Sequence, residues 1–207
     1  MAKKAKVWDG SAWQDLVNAT QDLTPYSTTA QMNTAIGTGA GLNYITGSTF
    51  TAQSSVSFNN CFSSTYQAYK IICSFKSPSS DGYTRLRMRA SGTDASGGDY
   101  QGCKIQINTS GSVSSIADAN AAFLAVTELD AGTAGTSYSA FIDMINPFAA
   151  SVTTMFMNNT SIVSTGAFQS IVGGNTHNVA TSYDGFTIYS SAGTFSGDIR
   201  VYGYKNS

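Results

Sequence analysis

Apolar and polar residues alternate over short runs along most of the chain, and clusters of Gly, Ser, Asn and Asp separate the runs. Alternation with a period of two marks strands with one buried face, and helical periodicity is nearly missing beyond Leu42. The runs predict strands at 48–52, 55–58, 69–75, 83–90, 100–108, 122–127, 137–144, 151–158, 167–172, 185–190 and 195–204. Eight or more strands at this spacing imply an all-β domain of two packed antiparallel sheets, a β-sandwich of jelly-roll type. The best-defined pair is 83–90 with 100–108, joined by a polar loop at 91–99 long enough to be mobile or functional.

The first 41 residues follow different patterns. Asp9-Gly10 favours a tight hairpin, because glycine accepts positive φ without steric cost, and both tryptophans, Trp8 and Trp13, flank it. So small a hairpin is marginal alone, so the two rings form a local aromatic pair or dock on another protein. Thr28 or Thr29 is placed to cap a short helix through Ile36, with Met32 and Ile36 four residues apart on one face. Gly37-Thr38-Gly39-Ala40-Gly41 then reads as a flexible joint, giving an attachment segment over 1–41 and a sandwich over 42–207.

Composition sharpens the fold and thins out the functions. Only 11% of the 207 residues are charged, less than half the usual share, and Glu128 is the only glutamate. Good helix-forming surface residues are therefore scarce, while β-branched and aromatic ones abound. A net charge of -1 supplies no field to attract nucleic acid or an anionic membrane. Lys3, Lys4 and Lys6 lead into Val7-Trp8-Asp9-Gly10 rather than an apolar core, so the start does not read as a signal peptide, and no run is long enough for a membrane span.

Candidate chemistry is sparse. His177 is the only histidine, in Gly173-Gly174-Asn175-Thr176-His177-Asn178, which reads as a surface loop; no Gly-x-Ser-x-Gly elbow accompanies it. One histidine and three unclustered cysteines, Cys61, Cys73 and Cys103, do not suit a zinc cage, and the cysteines read as small buried hydrophobes. A glycosidase needs only two carboxylates, but Asp81, Asp94, Asp99, Asp118, Asp130, Asp184 and Asp198 mostly adjoin Gly or Ser and read as turn residues. Asp143 and Glu128 are the carboxylates left to test for catalysis. No phosphate-cradling glycine motif and no cofactor motif is present. Arg85, Arg87 and Arg89 fall on one face of their strand, either as a cationic strip for an acidic glycan or a neighbouring subunit, or as a solvated face that discourages edge aggregation.

Several stretches resemble small structural proteins of tailed bacteriophages, particularly short tail fibres and receptor-binding or minor tail proteins. Lys6-Val7-Trp8-Asp9-Gly10-Ser11-Ala12-Trp13 is similar to their virion-proximal leader, and Thr29-Ala30-Gln31-Met32-Asn33-Thr34-Ala35-Ile36 to the connecting helix that follows it. Phe62 to Ile71, Leu86 to Asp94, Ala180 to Phe186 and Gly197 to Tyr204 resemble a phage β-sandwich. The resemblance implies a homotrimer that is fixed to other virion proteins by its N-terminus and points its sandwich outward. Departing from a typical fibre, the chain has no shaft repeat after Gly41.

The expected function is non-enzymatic: a virion protein, assembled in the host cytoplasm, that binds host-surface glycan. Val7, Trp8, Trp13, Leu16, Met32 and Ile36 are the anchor candidates. Arg85, Arg87, Arg89, Asp94, Asp99, Asn175, His177 and Thr194 are the receptor-binding candidates, drawn from the arginine strip and from loops at 91–99, 173–178 and 192–196. A capsid decoration protein is the alternative, and a capsule depolymerase a remote one.

Overall fold

The structure, a computed structural model, describes residues 6–15, 41–132, 136–162 and 167–205. The chain divides into two units, Met1–Gly39 and Ala40–Ser207. In the first, β1 (Lys6–Trp8) and β2 (Trp13–Asp15) form an antiparallel hairpin that pairs Trp8 with Trp13. Gly10 takes φ +95° in the turn, and the Asp9 carboxylate accepts the backbone N–H groups of Ser11 and Ala12 at 2.8 and 2.7 Å. The predicted helix, with Met32 and Ile36, and the anchor candidate Leu16 lie outside the described residues.

The second unit is an antiparallel β-sandwich of unequal sheets. The larger has eight strands: β3 (Leu42–Gln53), β5 (Ala68–Lys76), β8 (Tyr100–Asn108), β9 (Val113–Ala121), β11 (Ser137–Ile145), β12 (Thr153–Ile162), β13 (Phe168–His177) and β15 (Phe195–Tyr204), ordered β3-β15-β5-β11-β12-β13-β8-β9. The smaller runs β10-β6-β14-β4, from β4 (Ser55–Phe58), β6 (Gly82–Ala90), β10 (Leu124–Leu129) and β14 (Gly185–Ser190), with the short β7 (Thr93–Asp94) paired to β6. Ile71, Phe75, Ile142 and Met144 of the large sheet and Leu86, Met88, Phe186 and Ile188 of the small one are completely buried in one core. Three buried tyrosines each clasp a loop by both backbone groups of one residue or two: Tyr69 OH bonds Ser63 N and O, Tyr138 OH bonds Asp130 N and O, and Tyr100 OH bonds Met88 N and Ala95 O. Such a hydroxyl lets an aromatic ring fill the core while satisfying irregular backbone.

Four expectations require correction. Segments 83–90 and 100–108 do form strands, but β6 and β8 belong to different sheets and do not pair. The 91–99 connection therefore crosses between layers, with β7 folded back on β6. Segment 173–178 is mostly the end of β13 rather than a loop, because Gly173 and Gly174 pair in register with Lys104 and Cys103, and the missing side chain of Gly173 leaves room for Lys104 to pack against it. Asp118 and Asp198 are strand residues, not turn residues. Cys61 and Cys73 are buried, as expected, but Cys103 is exposed on the outer face of β8.

Candidate functional site

The small sheet covers only part of the large one. Among the described residues no strand pairs with the outer edge of its end strand β10, and a groove of about 460 Å³ runs between that edge and the inner surface of β8, β9 and β13. A volume of that size falls within the range of small-molecule sites. An open strand edge presents unpaired backbone groups, and side chains from the large sheet cap two of them here. Lys104 Nζ approaches Ala125 O at 3.4 Å, and Asn159 Nδ2 donates to Val126 O.

Charge in the groove is balanced. Lys104 is only 4% exposed, and its ammonium lies 2.6 Å from the Asp118 carboxylate, which keeps some contact with water. Opposite them, Arg85 stacks its guanidinium 3.9 Å from the centre of the Phe123 ring. Glu128 accepts a 2.8 Å hydrogen bond from Gln169 Nε2, while Gln106 Nε2 donates to Gln169 Oε1 at 2.6 Å. Tyr83 faces Glu128 across the β6–β10 pair, and its phenol is pushed up, first by burial and then by that carboxylate. Donors, acceptors and aromatic faces thus line one cleft, an arrangement suited to a polyhydroxylated ligand, which needs both kinds of partner at once.

Of the receptor-binding candidates, only Arg85 lines this groove. Arg87 donates to Ala122 O at 3.0 Å and lies over Tyr189. Arg89 is held by Asn59, Thr187, Gly92 O and the Asp94 carboxylate, so Arg89 and Asp94 pin β7 to β6. The strip is neither free nor edge protection, since β6 is flanked by β10 and β14. Thr194 is zipped to Ser79 through backbone bonds in both directions, N to Ser79 Oγ and O from Ser79 N. Asp99 accepts Asn178 N on its backbone carbonyl. Asn175 is buried at an inward position of β13.

His177, read from sequence as a solvated loop residue, is fully buried between Tyr100 and Tyr183, with ring centres at 4.3 and 5.0 Å. Burial lowers its pKa from 6.5, against the opposing charge of Asp99, and so favours the neutral imidazole in the fold.

The two carboxylates singled out for catalysis do not share a site. Glu128 lines the groove, whereas Asp143 stands on the outer face of β11, held by Lys70 Nζ at 2.9 Å and by the Tyr204 hydroxyl. Partial burial disfavours the Lys70 ammonium, but Asp143 and Tyr204 outweigh it and its pKa is raised. Lys104, Asp118 and Gln169 were missed because each sits in a strand at a position that periodicity alone does not orient, and Phe123 because it lies in the bend between β9 and β10.

In the N-terminal unit, the Trp8 and Trp13 rings lie 5.6 Å apart, yet remain 52% and 62% exposed. They form the local pair and also present a continuous aromatic surface. Comparison with protein-family models gives no match, and no curated protein matches the chain.

Proposed function

We propose that the protein is a non-enzymatic structural component of a tailed-bacteriophage virion, a short tail fibre or receptor-binding protein. The N-terminal hairpin attaches it to other virion proteins, and the sandwich, assembled as a homo-oligomer, meets the host-surface glycan. The groove beside β10 carries this reading, since its paired charges and aromatic faces match a saccharide better than a polyanion. Both of its cations are already engaged, Lys104 by Asp118 and Arg85 by Phe123, so a ligand gains by completing a mixed network rather than by supplying charge.

The exposed Trp8 and Trp13 support the attachment half, because paired aromatics open to solvent are enriched where proteins dock. Labelling intact particles with an antibody against residues 42–207 and viewing them by electron microscopy tests the whole reading. Label at the tail is expected. Label spread over the head would make this a capsid decoration protein instead, and unlabelled particles would remove it from the virion.

A further inference from the structure

Along β8 the outer surface of the large sheet inverts the usual pattern. In β8, Cys103, Ile105 and Ile107 point outward, while Lys104 and Gln106 point inward. In the neighbouring strands Val113, Phe156, Phe168 and Val172 also face out, among polar residues such as Asn158 and Ser170, while Asp118, Asn159 and Gln169 face in beside Met155, Met157 and Ile171. A sheet with one wet face alternates the other way, because a residue of the wrong class on the solvent side forfeits burial at every second position. None of the outward residues of β8, β9, β12 and β13 is charged.

These apolar residues are contiguous. Val172 lies directly opposite Ile105, and Phe156 opposite Gly174, one diagonal step from Val172. Ile105 and Phe156 are 50% and 52% exposed. Beside Phe156 a shallow trough of about 680 Å³ passes over Gly174, Cys103 and Ala117, and a Cβ built on Gly174 would meet nothing within 4 Å. A protruding ring next to a hollow lined by small residues is the local shape of a reciprocal contact, in which each copy fills the other.

We propose that this face packs against a second copy of the same chain. The occupant follows from charge and size. A partner with charged side chains would bury them unpaired, since the one carboxylate that lines the trough, Asp118, is already held by Lys104, whereas an identical face brings no unpaired charge. Four strands of nine or ten residues span roughly 30 by 19 Å, a flat area of about 600 Å² before side-chain relief, close to the roughly 800 Å² per partner of a stable interface. This inference rests on the sheet alone and not on a place in a virion.

Cys103 supplies an internal probe, because it sits within the face while Cys61 and Cys73 are buried and inert. Light scattering on the purified full chain, with maleimide labelling of the native protein, tests the proposal. The expected result is a mass of at least two 21.7 kDa chains with Cys103 protected. Ile105→Lys with Val172→Lys should reduce the mass to one chain and open Cys103 to label, with an unchanged circular dichroism spectrum. Phe156→Arg, at another exposed position, guards against a folding defect in that variant and should act alike. Trp8→Ser with Trp13→Ser should leave the mass unchanged. A single-chain mass for the unaltered protein at roughly 100 μM, or a multimer that survives both sets of charged substitutions, overturns the proposal; neither result bears on where antibody falls on a particle.

Discussion

Lys104 Nζ and the Asp118 carboxylate meet at 2.6 Å across neighbouring strands of the large sheet, at the mouth of the inter-sheet groove. The lysine is almost sealed from water and its partner is not. A buried cation needs its counter-ion more than it needs the neighbouring carbonyl of Ala125. Asp118→Asn is therefore expected to lower stability by about 3 kcal/mol, at the lower end for a broken buried pair because water still reaches this one. Lys104→Met combined with Asp118→Leu should recover most of that loss. Urea unfolding of the three proteins checks it, and equal losses for the single and double variants would contradict the pairing.

The same pair bounds a second expectation. Arg85 and Glu128 line the groove, and the amide of Glu128→Gln can still accept from Gln169, so under the proposed function Arg85→Ala and Glu128→Gln should each weaken binding of host-surface saccharide about tenfold, the value of one charged hydrogen bond, with little change in melting temperature. Arg89→Ala should do the reverse, because Arg89 ties β7, Asn59 and Thr187 together away from the groove. Saccharide titrations followed by calorimetry distinguish them. Unchanged affinity in both groove variants would remove the groove from recognition.

The elements were legible in the sequence where the local pattern was strong, and β4, β8, β14 and β15 begin and end where alternation and turn residues place them. Pairing was not legible. Nothing in 83–90 or 100–108 shows that the intervening loop crosses layers, since both strands alternate equally well in either sheet. The strand β9, Val-Ser-Ser-Ile-Ala-Asp-Ala-Asn-Ala, was missed because Ser, Ala and Asn favour no strand, and its pairing with β8 overrides propensity. His177 failed for a related reason: two glycines and an asparagine mark a turn locally, yet the space left by Gly173 is filled by the neighbouring Lys104 and that by Gly102 by Asn175, so the segment stays in the sheet. Of the groove, only Arg85 and Glu128 had been singled out, because inward-facing polar residues look solvent-facing to any rule based on alternation.

His177 makes stability depend on pH. Its folded pKa lies below the 6.5 of the unfolded chain, since burial between Tyr100 and Tyr183 penalises the cation more than Asp99 favours it. Between those two values the unfolded state binds a proton that the folded state refuses. The contribution is thus complete above pH 6.5 and falls away as pH drops through the folded pKa. The melting temperature should fall between pH 7.5 and pH 5, and His177→Phe should flatten that fall. Parallel profiles for the two proteins would show that other groups set the slope.

The proposed attachment through the N-terminal hairpin leads to the last expectation. Trp8 and Trp13 keep over half their surface open although they pack on each other, and the Asp9-Gly10 turn needs only its own carboxylate and positive φ to hold them in place. The core residues of the sandwich, by contrast, all lie between Phe50 and Val201. Deleting residues 1–41 should leave a cooperatively folded sandwich with an unchanged thermal transition, because no core side chain is removed. That truncated protein should fail to enter particles when it is the only copy supplied during assembly. Trp8→Ser with Trp13→Ser should reduce incorporation without touching the fold, since rings buried at an interface commonly contribute 2 kcal/mol or more each, on the order of thirtyfold in affinity. Quantitative blotting of purified particles reads both experiments. Normal incorporation of the truncated protein would place attachment on the sandwich itself, and normal incorporation of the double variant alone would move the contact to another part of the first 41 residues.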